Sequence, residues 1–169
     1  MKEEYLPHLN AATIAFLESI LTKKLTVLET GSGTSTIWFG KRVKRVVSFE
    51  SSGNWHNEVM KLVNKEKLDN VIIYIDPKYP ENTFAKFPGE FDLVFLDGAD
   101  YKGARVLCMK QAPKLVKLEG LVLADDTHRR GYKEGITHLD TYLERLADFK
   151  GKDVYNSIDK KATVWKRMK

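Results

Sequence analysis

Five apolar runs, each followed by a segment of helical spacing, and then a two-strand C-terminus predict an α/β fold on a mostly parallel sheet with helices on both faces. The runs themselves agree: NVIIYI and FDLVFL are almost uniformly apolar, as strands covered on both sides are. A third observation is that an acid or a glycine closes one run after another, which places polar chemistry along one edge of such a sheet.

In chain order, residues 1–10 carry no strong pattern, and Pro7 argues against an early helix. Asn10 stands as N-cap to a helix in which Ala11, Ile14, Leu17 and Leu21 recur at helical spacing, while Tyr5 and His8 before it read as surface residues, with leaning over the site as the alternative. Leu25–Thr36, LTVLETGSGTST, passes from Thr26-Val27-Leu28 through Glu29 and a Gly-x-Gly turn into Ile37-Trp38-Phe39, which reads as strand, tight turn and a helix running to Arg42. Glycine at Gly31 and Gly33 lets the backbone turn with positive φ and lie bare against a ligand, which the free N–H groups of the next helix also face. Val43–Glu50 is the second strand and Asn54–Lys65 a helix, with Trp38 and Trp55 assigned to the core. Asn70–Ile75 is a strand ended by Asp76, Pro77 and Pro80. Phe91–Leu96 ends at Asp97-Gly98, and Gly103–Val116 is a helix that Pro113 must kink or break. Leu121–Ala124 ends at Asp125-Asp126, Lys133–Phe149 is a helix, and Asp153–Ile158 with Ala162–Lys166 form a hairpin around Asp159-Lys160-Lys161.

A chain of 169 residues with 43% hydrophobic and 30% charged positions is expected to form one domain, here a helical N-terminal segment (1–24) and a core (25–169). The formal charge of +5 is spread along the chain, which suits solubility before a nucleic-acid face. A single cysteine, Cys108, excludes an internal disulfide and reads as core. With neither a leader pattern nor an apolar run of membrane length, the expected location is cytoplasmic, with no membrane partner.

Ligands of open α/β sheets lie beyond the carboxyl ends of the strands, where Glu29, Glu50, Asp76, Asp97, Asp125 and Asp126 all fall. Solvation explains any one loop acid, but it explains the series poorly. Glu50 stands about twenty residues beyond the glycine turn, the spacing at which a carboxylate accepts hydrogen bonds from ribose hydroxyls. Thr36 occupies the third small position of a dinucleotide fingerprint, and no Gly-x4-Gly-Lys-Ser/Thr loop is present. Glu29 would repel a pyrophosphate and suits a ligand carrying a positive amino or sulfonium group.

ETGSGTST, SFE, FDLVFLDGA and LVLADD together resemble the class I S-adenosylmethionine-dependent methyltransferases, from about Leu25 to the C-terminal hairpin. That resemblance implies a Rossmann-like three-layer sandwich whose seven-stranded sheet has the order 3-2-1-4-5-7-6, the last strand antiparallel. It assigns S-adenosylmethionine's methionine part to Gly31 and Gly33, its amino group to Glu29, its ribose to Glu50 and its adenine to Ser51 and Asp76. Thr30, Ser32, Ser35 and Asp97 complete the implied cofactor set.

Asp97, Asp125 and Asp126 carry a narrower resemblance. In the implied order the fourth and fifth strands are neighbours about 4.8 Å apart, so acids at their ends converge. Three carboxylates repel one another unless a proton or cation intervenes, and an all-oxygen set suits Mg2+, Ca2+ or Mn2+. The arrangement is similar to that of metal-dependent O-methyltransferases, in which such acids hold a metal that lowers the pKa of the substrate hydroxyl. The resemblance therefore implies O-methylation of a small-molecule hydroxyl, with Mg2+ or another divalent cation as helper at Asp97, Asp125 and Asp126. Where catechol-type enzymes carry a lysine base this chain has Asp100, with Lys102 off register, which leaves Asp97 and His128 as catalytic candidates. Arg129 and Arg130 beside them suit an anionic substrate. RNA is the alternative acceptor, a non-catalytic S-adenosylmethionine-binding module the alternative class, and an aminopropyl transferase the most remote reading. So little lid also suggests a homodimer.

Overall fold

The structure, a computed structural model, describes residues 5–78, 86–98 and 103–169. Its strands are β1 (Thr26–Thr30), β2 (Arg45–Glu50), β3 (Val71–Ile75), β4 (Phe91–Leu96), β5 (Val116–Ala124), β6 (Glu144–Lys152) and β7 (Asp159–Lys166). The helices are α1 (Ala11–Ile20), α2 (Thr34–Gly40), α3 (Gly53–Lys65), α4 (Ala104–Leu115) and α5 (Lys133–Tyr142). Among the described residues the strands form one seven-stranded sheet in the order β3-β2-β1-β4-β5-β7-β6. β7 alone runs against its neighbours; every other pairing is parallel. The order and the antiparallel strand are those expected from the sequence.

Successive strand residues point to opposite faces, and the core divides accordingly. Val27, Val46, Leu93 and Leu123 turn toward Leu17 of α1 and Trp38 and Phe39 of α2. Leu28, Val47, Val94 and Val122 turn the other way, toward Met109 and Ala112 of α4 and Leu139 of α5, with Cys108 in the same layer. Fully burying a side chain of this size contributes about 1.5–3 kcal/mol, which is why uniformly apolar strands specify a three-layer arrangement. Asn10 caps α1 as its sequence implies, its side-chain oxygen accepting from Thr13 N at 3.0 Å.

Several boundaries differ from the sequence reading. Tyr5 is buried against Ile37, Val59 and Val63, with the Lys41 ammonium 4.9 Å from its ring centroid. Trp55, expected in the core, is 51% exposed. α4 runs through Pro113, which sits in its last turn. β5 starts at Val116 because a register shift lets Phe91 pair with Val116 and Leu93 with Leu121. The largest difference is the segment read as a helix to Phe149: α5 ends at Tyr142, and residues 144–152 are β6, paired along their length with β7. Leu143, Leu146 and Phe149 repeat at a helical spacing, but an irregularity between Arg145 and Ala147 turns Leu146 outward while the ladder to β7 continues. The hairpin connection is therefore 153–158, and Asp159-Lys160-Lys161 opens β7 instead of forming the turn. Among the described residues no helix is long and apolar enough to cross a membrane.

Candidate active site

Two glycine turns meet at the carboxyl edge of the sheet. Gly31, after β1, has φ +79°, and Gly98, after β4, has φ +92°. A Cβ on Gly31 would lie 2.8 Å from Gly98 N, and one on Gly98 would lie 2.6 Å from Gly31 N, so neither position has room for a side chain. Gly31 N donates to Phe49 O at 2.8 Å, and the Thr30 hydroxyl donates to Asp97 O at 2.5 Å. The exit of β1 is thereby fastened to both neighbouring strands. Gly33 differs, since a Cβ there meets nothing within 4 Å.

Two acids stand behind this turn. Glu29 is fully buried and accepts hydrogen bonds from Ser35 Oγ, from Thr36 Oγ1 at 2.5 Å and from Ser48 Oγ at 2.8 Å. Burial pushes its carboxyl up to about 7, against the lowering pull of those three hydroxyls. Glu50, at the end of β2, accepts from both Ser32 N and Ser32 Oγ at 3.1 Å on one oxygen and from Ser52 N at 2.8 Å on the other. A carboxylate has about four acceptor sites, so Glu50 retains capacity toward the space beside it.

That space is a cavity of about 640 Å³. Residues 31–35, residues 50–52 and Trp55 form one side; Asp97, Gly98, Arg105, Asp126, Arg129 and Lys160 form the other; His8 stands at the rim. Trp55 reaches it from the first turn of α3, its Nε1 donating to Ser32 O at 2.7 Å.

On the second side every acid has a cationic partner. Asp97 is 3.1 Å from Arg105, whose guanidinium is 4% exposed and lies 5.3 Å from the Tyr132 ring centroid. Lys160 Nζ is 2.6 Å from Asp125 Oδ2 and 3.3 Å from Asp126 Oδ1, and Arg129 is 2.6 Å from Asp126 Oδ2. Burial and the Asp97 charge push the Asp125 carboxyl up, and Lys160 opposes them. Asp126 has φ +58°, a left-handed conformation that aspartate tolerates better than most residues. This donor set does not fit the divalent cation expected at Asp97, Asp125 and Asp126, because an ammonium lies between the pair that would hold it. Among the described residues no group of three or more His, Cys, Asp or Glu side chains is placed to hold a metal.

The sequence-predicted residues divide between cavity wall and support. Gly31, Ser32, Gly33 and Ser35 line it on one strand exit, Glu50 and Ser51 on the next, and Asp97 and Asp126 across from them. Glu29, Thr30 and Asp125 lie behind the wall, fully buried. Asp76 stands at the end of β3, its backbone N bonded to Glu50 O at 2.9 Å and its carboxylate accepting from Lys78 N at 2.8 Å. His128 is exposed and is not part of the lining. Asp100 and Lys102 lie outside the described residues. The wall residues that went unread in the sequence include Ser52, Trp55, Arg105 and Lys160. Lys160 had a signal, because an antiparallel strand beside β5 must begin at the edge where β5 ends.

The solved structures that this chain resembles share the fold at low identity. An rRNA methylase from Streptococcus thermophilus superposes with a TM-score of 0.73 at 11% identity, over 100% of this chain and 99% of that one. A precorrin-6y C5,15-methyltransferase from Geobacter metallireducens GS-15 gives 0.69 at 12% identity, over 93% and 87%. The N-methyltransferase NodS from Bradyrhizobium japonicum WM9, in complex with S-adenosyl-L-homocysteine, gives 0.64 at 12% identity, over 90% and 82%. No curated protein matches the sequence significantly. A family model described as a methyltransferase domain matches residues 28–127, more than half of the chain and the stretch that supplies one side of the cavity and part of the other, so the chain belongs to the methyltransferase-domain family of enzymes.

Proposed function

We propose that this methyltransferase uses S-adenosylmethionine and methylates a hydroxyl of a small molecule, without a divalent metal between its aspartates. The observation that carries the reading is Glu50: a buried carboxylate clamped by Ser32 and Ser52 at the end of β2, facing a cavity walled by bare glycine backbone. Open space at Gly33 and the remaining acceptor capacity of Glu50 fit an adenosyl cofactor, which supplies a methyl group activated by a sulfonium charge. In this reading Glu50 holds the ribose hydroxyls and residues 31–35 lie along the methionine part. Glu29 keeps the glycine turn in place from behind through Ser35 and Thr36. Asp97, on the opposite wall and steadied by Arg105, takes the proton that the acceptor hydroxyl loses. His128 is given no part in it.

Calorimetric titration of S-adenosylhomocysteine, with NAD as the parallel ligand, tests the reading. One-site binding of the former alone is expected, and its loss in Glu50→Ala ties it to this cavity. Binding of NAD in its place would overturn the assignment.

RNA is the second acceptor reading, favoured by the exposed Arg129 and Arg130 beside the cavity. It requires RNA affinity that falls steeply with salt. Flat binding between low and moderate salt removes it.

A further inference from the structure

β7 runs antiparallel to β5, with Thr163 opposite Ala124, so the first residues of β7 emerge at the edge of the sheet where β5 ends. Lys160, the second residue of β7, thereby arrives beside an acid pair 35 residues earlier in the chain. Its side chain is only 13% exposed and forms part of the cavity wall. The position is fixed from both strands: Thr127 N donates to Lys161 O at 2.9 Å, and the hydroxyls of Thr127 and Thr163 are 2.8 Å apart. Around the ammonium the charges are arranged as around an ion. Asp125 and Asp126 each give it one oxygen, Asp126 gives its other to Arg129, and Asp125 Oδ1 is buried with no hydrogen-bond partner. That last orphaned oxygen means that the cluster holds more carboxylate than one lysine satisfies.

We propose that Lys160 is the resident cation of the acceptor site. Its ammonium sits on Asp125 Oδ2 and Asp126 Oδ1, the oxygens that a divalent ion expected at this acid pair would need, and it excludes that ion by occupying them. For the acceptor the consequence rests on the methyltransferase reading above. A divalent ion chelates two adjacent oxygens, whereas an ammonium that donates to Asp125 and pairs with Asp126 offers separate N–H donors and no chelating positions, so the acceptor presents a single oxygen there.

Manganese is the probe. The full chain, Lys160→Met and Lys160→Arg are each titrated with Mn2+ and followed by the loss of the free-ion electron paramagnetic resonance signal. The unaltered protein and Lys160→Arg are expected to leave the signal unchanged through the low millimolar range. Lys160→Met, which keeps the packed stem and removes the charge, is expected to bind one Mn2+ at least tenfold more tightly. One-site Mn2+ binding by the unaltered protein would overturn the proposal without need of any variant, and so would a folded Lys160→Met that gains none. Titrating S-adenosylhomocysteine into the same samples separates this outcome from the cofactor reading. Its failure to bind unaltered protein would remove the methyltransferase assignment of the cavity while leaving the Mn2+ result intact.

Discussion

The two walls of the cavity are built by different means. The wall formed by residues 29–55 is nearly contiguous in sequence, and its two carboxylates, Glu29 and Glu50, are held by hydroxyls and backbone amides. Among the described residues neither has a salt-bridge partner. The opposite wall draws Asp97, Arg105, Asp125, Asp126, Arg129 and Lys160 from strand ends and loops spread over the second half of the chain, and there each acid is matched by a cation. One wall therefore keeps an uncompensated carboxylate, Glu50, and the other is balanced. A ligand with a positive sulfonium and amino group suits the first, while the second has no net attraction for metal cations.

The comparison breaks most sharply at the glycine crossing that joins the walls. Gly31→Ala combines a positive φ with a Cβ driven into the Gly98 backbone. Strain of each kind costs about 1–3 kcal/mol, so the variant is expected to lose about 3 kcal/mol or more, on the order of 10 °C in melting temperature. Gly33→Ala is its counterpart. That glycine has extended backbone, and its Cβ would meet no protein atom. Its melting temperature should stay within a degree or two of the parent while S-adenosylhomocysteine affinity drops by tenfold or more. Equal destabilisation of the two variants would mean that the turn is a structural device throughout.

Glu29 gives the next effect, and its sign follows from its raised pKa. The folded carboxyl titrates near 7 and the unfolded one near 4.5, so between these values the native state binds more protons. Stability should then fall as pH rises from about 4.5 to 7 and level off above, by about 3 kcal/mol in total at roughly 1.4 kcal/mol per unit. Glu29→Gln lacks that decline. Asp125 acts in the same direction in both proteins, so the difference between parent and variant in urea denaturation at pH 5 and pH 8 isolates Glu29. Parallel pH profiles would acquit it.

How legible these walls are in the sequence follows from the same contrast. Glu29, Gly31, Gly33 and Glu50 are readable because each sits at a fixed offset from a strand end, and strand ends with glycine turns are strong local signals. The sheet order came through the resemblance that those motifs carry. Arg105 and Lys160 were not read because nothing local marks them: a lysine in a polar stretch looks like a turn until the direction and register of β7 are known. The helix assigned past Tyr142 failed for a related reason, since a strand irregularity at Arg145/Ala147 imitates helical spacing and only the ladder to β7 resolves it. The divalent cation failed with Lys160, because three acids converging on one sheet edge look like a metal site until the strand that carries the lysine between them is placed. Trp55 went to the core because it shares a helical spacing with Val59, Leu62 and Val63.

Trp55 also supplies the smallest and most selective prediction. Of the three tryptophans, Trp38 and Trp165 are fully buried and Trp55 is half exposed, yet Trp55 alone lines the cavity. Its indole N–H holds the carbonyl of Ser32, the residue whose amide and hydroxyl clamp Glu50, so it braces the Glu50 wall from outside. Trp55→Phe keeps an aromatic ring and removes only that hydrogen bond, a loss of about 1 kcal/mol at a partly solvated site. The expected result is a nearly unchanged melting temperature and S-adenosylhomocysteine affinity weakened about fivefold. Fluorescence gives an independent reading. In the parent, ligand binding should alter emission through Trp55, while the variant, left with two buried indoles, should bind in the calorimeter with little optical change. A full emission change in Trp55→Phe would place the ligand elsewhere, against the walls of buried core that Trp38 and Trp165 report on, and would detach the cofactor from Ser32 and Glu50 altogether.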